Sequence, residues 1–264
     1  MHMGEVLFIL PEAMAAGVGS PGAGHPGLRH PGTGAPETAY SGTGDFDRLI
    51  LHETPYGKVE QRGPVLMRTA EADPRALIYA AKAAGASAVL AAARVEPVSP
   101  LLEPGDLVVP VDVIDLTRLL PPTFFVGKGY GFIRLDPPFC PELSAALYAA
   151  GREKTPRAFR GATYVGLDGS REATPAERRM YRAWGADVVG SGLVPEAFLA
   201  RELELCYAAL TVVREAQADV LAVLERAAQL APVRRSCSCG RAMAGARAQG
   251  LIGEDWREWV RGNM

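Results

Sequence analysis

Long apolar runs are missing from this sequence. None approaches the roughly 18 residues needed to cross a bilayer, which leaves no candidate for a membrane-spanning helix. An excess of charge of either sign is nearly absent as well: 28 Lys and Arg stand against 30 Asp and Glu, a formal net charge of -2. Neither nucleic acid nor an anionic membrane surface is an expected partner of such a chain. Cysteine is scarce. Cys140, Cys206, Cys237 and Cys239 are too few and too scattered for a secreted disulfide scaffold. No C-x-x-C pair is present, so no metal is expected. Residues 1–10 show no basic n-region, so no signal peptide is read and a cytoplasmic location is expected.

What is there is the composition of a globular α/β protein. Of 264 residues, 48% are hydrophobic and 22% charged, and no linker divides the middle, so 1–264 reads as one domain. An apolar strand at Glu5–Leu10 is followed by a segment crowded with Gly and Pro, residues 16–44, which reads as a loop insertion. G-x-G-x-x-G occurs there at Gly17/Gly19/Gly22 and Gly22/Gly24/Gly27. Pro21, Pro26 and Pro31 deny the helix that a dinucleotide fingerprint would need. Residues 48–61 and 63–68 read as two strands joined by a Gly turn. Helices are then predicted over 74–85, 141–151, 174–185, 195–205 and 215–230. Between them lie apolar strands at 87–95, 106–115, 162–168, 187–192 and 206–213, and residues 232–264 read as a C-terminal tail with a C-x-C pair. Continuous apolar strands alternating with helices indicate a twisted mixed sheet covered on both faces, a three-layer α/β/α sandwich. Thr174, Pro175 and Glu177 form a capping-box pattern at one helix start.

Several blocks carry a family resemblance: "ETPYGK" (53–58), "EPGDLVVPVDVIDLT" (103–117), "PTFF" (122–125), "DPPFCPEL" (136–143) and, longest, 173–210. In this order they resemble the trimeric purine nucleoside phosphorylase and 5′-methylthioadenosine phosphorylase family. The resemblance implies phosphate-dependent cleavage of a purine N-glycosidic bond, phosphate as co-substrate with no other cofactor, and a homotrimer or a multiple of trimers. Residue by residue, it places Gly169, Arg171, Glu172, Ser191 and Gly192 around the nucleoside, Arg68 on phosphate, and Glu215 opposite the purine N7 as a candidate general acid. Arg94 is a further candidate cation.

The sequence departs from the family pattern at several of these points. Pro11, Glu12 and Ala13 replace the Gly-rich phosphate turn, no histidine follows Arg68, and Glu172 and Ala173 stand where an aromatic and an acid are usual. Two alternatives therefore stay open beside the phosphorylase: an inactive paralogue acting as a structural or ligand-sensing partner, and a nucleoside hydrolase. For the cysteines, free thiols are the expectation for a cytosolic chain. The resemblance to thermophilic relatives implies instead bridges at Cys140–Cys206 and Cys237–Cys239.

Overall fold

The computed structural model describes residues 5–11, 14, 48–69, 72–127, 132–169, 171–214 and 219–260. The whole Gly/Pro-rich segment, together with Glu12 and Glu215, lies outside them. Nine strands are described: β1 (Glu5–Pro11), β2 (Leu49–Thr54), β3 (Gly57–Arg62), β4 (Val65–Arg68), β5 (Ala86–Pro97), β6 (Leu107–Asp115), β7 (Ala158–Gly166), β8 (Val188–Gly190) and β9 (Cys206–Val213). The helices are α1 (Pro74–Ala83), α2 (Pro141–Lys154), α3 (Pro175–Ala183), α4 (Glu196–Glu202), α5 (Val220–Leu230), α6 (Ala244–Ala248) and α7 (Trp256–Val260).

The strands form one mixed sheet in the order β2-β3-β4-β1-β5-β8-β7-β6-β9. β5 is its branch point. Residues 86–91 of β5 pair with β1, residues 95–97 pair with β8, and 88–95 pair in parallel with β9. Because β9 also pairs with β6, strands β5, β8, β7, β6 and β9 close into a ring, while β2, β3, β4 and β1 extend it as an open sheet. The expected mixed sheet with helices is therefore present, with half of it closed on itself.

Alternation along the strands explains how both faces are buried. In β1, Leu7 and Ile9 join the core beneath α1 and α4, while Val6, Phe8 and Leu10 join the core beneath α2 and α5. The same division splits β9, with Tyr207 and Ala209 on one side and Cys206, Ala208 and Leu210 on the other. The run of alanines in β5, Ala88 and Ala91–Ala93 all buried, keeps its side chains short where three other strands meet it.

Two expectations are corrected. Residues 48–61 are a hairpin rather than one strand: Pro55 and Tyr56 turn the chain between β2 and β3, and Thr54 Oγ1 donates to the Gly57 carbonyl at 2.6 Å. Nor is 232–264 a tail as far as Val260. Met243, Ala246, Trp259 and Val260 are buried in the core, and Tyr56 donates its hydroxyl to the Val260 carbonyl.

Candidate active site

A cleft of ≈ 300 Å³ opens where the end of β5 meets β7 and β8. Its charged lining comes from Arg94 and Glu96 on β5 and from Arg171 and Glu172 on the loop after β7, with Gly169 and Ser191 completing the wall. Ligands of α/β sheets commonly bind beyond strand carboxyl ends, and the end of β5 follows that rule. Four of the residues expected around a nucleoside, Gly169, Arg171, Glu172 and Ser191, are brought together here. Arg94 joins them and is exposed; among the described residues it has no carboxylate partner within salt-bridge distance. Glu96 accepts from Arg214 Nε at 3.0 Å, which ties the end of β9 to the cleft rim. Sequence reasoning passed over Glu96. Its only signal is a charged residue closing an otherwise apolar strand.

The loop that carries Arg171 is fastened at both ends. Asp168 accepts the backbone N–H groups of Arg118 and Leu119, each at 3.1 Å. Gly169 has φ +81°, and a Cβ there would sit 3.0 Å from Ser191, so the close approach of the two walls needs glycine. Arg171 forks onto Glu177 at 2.7 and 2.8 Å, and Glu177 also accepts from Thr174 N–H at 2.7 Å in a complete capping box. The Arg171 guanidinium, followed by the Thr174 amide, holds the Glu177 carboxyl down at about 2. Arg171 also borders a second cavity, ≈ 390 Å³, shared with Leu116, Arg118, Met180 and Trp184.

Arg68 and Gly192 do not line the cleft. Arg68 is buried in a bidentate pair with Glu196, at 2.6 and 2.7 Å, and its Nη1 donates to the Ala92 carbonyl at 2.9 Å. Tyr207 donates to the same carboxylate at 2.8 Å, and burial pushes its own hydroxyl pKa up, which keeps it a donor. The expected phosphate ligand is thus closed into a structural ion pair, because a buried guanidinium takes the nearest buried carboxylate. Gly192, at φ +95°, lets Arg68 pass, since a Cβ would meet Nη1 at 3.1 Å. Glu215 lies outside the described residues; the chain reaches it from Val213 and Arg214, which pair beside β5 at the cleft rim.

The cysteines, far apart in sequence, converge at the opposite end of β9. All four are free thiols, with Cys206 Sγ and Cys237 Sγ 3.5 Å apart. Neither of the two expected bridges is formed in the structure.

Residues 12–233 match the model of the Phosphorylase superfamily. The chain belongs to this superfamily. Among curated relatives of this chain, a protein of Methanopyrus kandleri named "Probable S-methyl-5′-thioinosine phosphorylase" is 36% identical over 194 residues, 65% of this chain and 75% of that protein. The 6-oxopurine nucleoside phosphorylase of Pyrococcus furiosus is 35% identical over 201 residues, 65% of this chain and 76% of that protein. In fold, the chain superposes on the methylthioadenosine phosphorylase of Schistosoma mansoni in complex with adenine. The TM-score is 0.71 at 20% identity, covering 94% of this chain and all of that one. No helix among the described residues is long and apolar enough to cross a membrane.

Proposed function

We propose that the protein is a purine-type nucleoside phosphorylase, acting on a 6-oxopurine nucleoside or a 5′-methylthionucleoside. The observation that carries this is the cleft: in a chain of this superfamily, four of the five residues that the resemblance set around the nucleoside, Gly169, Arg171, Glu172 and Ser191, line one open cavity. In the reaction a phosphate oxygen bonds to the anomeric carbon as the C–N bond breaks. The purine leaves with the bonding pair and takes a proton at N7, giving free base and sugar 1-phosphate. Arg94 supplies the cation for phosphate in place of Arg68, because among the described residues it is the guanidinium that lines the cleft without a carboxylate partner. Arg171, already aligned by Glu177, closes the nucleoside side. Glu215 remains the candidate acid for N7. A homotrimer in the cytoplasm, with phosphate as co-substrate and no other cofactor in the reaction, belongs to the same proposal. A sedimentation mass three times the 28.0 kDa chain is the expected result for the assembly.

One experiment tests the reaction. The purified chain is incubated with inosine, guanosine, adenosine and 5′-methylthioadenosine, with and without phosphate, and free base is followed by chromatography. Phosphate-dependent release of base is expected. Release that ignores phosphate would make the protein a hydrolase, the reading favoured by the closing of Arg68 onto Glu196. No release and no thermal shift with any nucleoside would leave the inactive paralogue.

A further inference from the structure

The four cysteines come from three separate parts of the fold. Cys140 is the N-cap residue of α2, Cys206 opens β9, and Cys237 and Cys239 straddle Ser238 in the segment after α5, Cys239 beginning a single 3-10 turn. Their sulfurs all lie within 4.8 Å of one another. Cys140, Cys206 and Cys239 are buried and Cys237 is half-buried.

We propose that this tetrad is a structural zinc site, with one Zn²⁺ held by four thiolates. A tetrahedral zinc–thiolate centre, with Zn–S about 2.3 Å, spaces its sulfurs about 3.8 Å apart. The observed spread needs a contraction of no more than about an ångström to reach that arrangement. The donor set selects the metal. Four sulfurs without carboxylate or imidazole suit a soft-accepting ion and exclude Mg²⁺ and Ca²⁺. With every position filled by protein, no place is left for substrate, so the role is structural.

The surroundings are those a doubly negative zinc–thiolate centre requires. Arg235 Nη1 lies 3.4 Å from Cys206 Sγ and is held in place by donating to the Ser87 carbonyl at 3.1 Å. The N-terminus of α2, a helix of 14 residues, begins at Cys140 and presents its positive end there. Glu142 accepts the N–H groups of Ser236 and Cys237 at 2.8 and 3.1 Å, which fixes the chain as it enters the C-x-C pair. A cavity of ≈ 340 Å³ lined by Arg235, Ser236, Cys237, Gly240 and Arg241 gives an ion a route to Cys237. The nucleoside cleft adjoins the other end of β9, roughly 20 Å away at the rise of a β-strand, so the two sites do not overlap. Binding displaces up to four thiol protons and joins residues 235–241 to α2 and β9 through one ion.

Bridges at Cys140–Cys206 and Cys237–Cys239 would use the same sulfurs, so metal and disulfides exclude each other. The full chain is expressed in zinc-supplemented medium and purified without chelator. Elemental analysis is expected to give one zinc per chain, and thiol titration in denaturant with chelator four thiols. Reduced, metal-stripped chain titrated with Co²⁺ should take up one ion with the visible bands of tetrahedral cobalt thiolate. Cys239→Ser should weaken cobalt binding at least 10-fold; if that variant does not fold, the unaltered chain decides alone. An isolated chain lighter by four hydrogens and lacking metal overturns the proposal. So does a reduced chain that fails to bind one zinc or cobalt.

Discussion

At the scale of single residues, arginines that look alike in sequence have opposite fates. Arg68 ends β4 inside the protein, and removal of its partner leaves a buried guanidinium and the Tyr207 hydroxyl without an acceptor. Glu196→Ala is therefore expected to destabilise the fold by about 3–5 kcal/mol, read as a lowered urea midpoint. Arg94 and Arg171 face the cleft instead. Arg94→Ala should raise the KM for phosphate at least 10-fold while the KM for nucleoside moves little, which initial-rate kinetics would show. Arg171→Ala removes an exposed ion pair, and such pairs contribute little to stability. Its thermal midpoint should stay close to that of the unaltered protein while the nucleoside KM rises. A fall in stability with unchanged KM would show Arg171 to be a brace for α3 and nothing more.

At the scale of elements, what could be read in the sequence was what neighbours along the chain decide. The capping box at α3 was legible because Thr174, Pro175 and Glu177 act on one another within a single turn, and the structure contains it. Thr174→Ala should cost about 1 kcal/mol. In a chain of this size that lowers the thermal midpoint by about 2 °C in a calorimetric scan. The hairpin of β2 and β3 was missed because Pro55 and Tyr56 interrupt an apolar pattern for only two residues. The closing of Arg68 was illegible for a different reason: its partner lies 128 positions along the chain, brought near only when β4 and α4 are both in place. The cleft loop 168–173 was recognised by resemblance. Glu96 was not, since nothing local marks one strand-ending carboxylate above another. The cysteine tetrad needed α2, β9 and the segment after α5 together, and C-x-C spacing alone carries little information about that.

At the scale of the whole molecule, one carboxyl links a distant segment to the core. Glu202 on α4 accepts from Thr123 Oγ1 at 2.5 Å and from Phe124 N–H at 2.7 Å, and so anchors the 123–125 segment. Burial pushes its pKa up to about 7. Below about pH 4.5 the group is protonated in folded and unfolded chains alike, and its contribution is fully present. As the pH rises through about 7 the unfolded chain releases the proton more readily, and stability on the order of 3 kcal/mol is lost. The urea midpoint should fall between pH 5 and 8, and Glu202→Gln should flatten that slope.

The ring of β5, β8, β7, β6 and β9 bears on how the molecule comes apart. A strand at a free margin can peel away by breaking one ladder, as β2 can among the described residues. β9 lies between β5 and β6, and none of the ring strands can leave without two ladders failing together. Amide protons of β5 and β9 should therefore exchange with solvent only when the whole chain unfolds, while those of β2 exchange through small, frequent openings. The cleft between β5, β7 and β8 sits on the slow half of that division, and its walls are held by the last part of the protein to open.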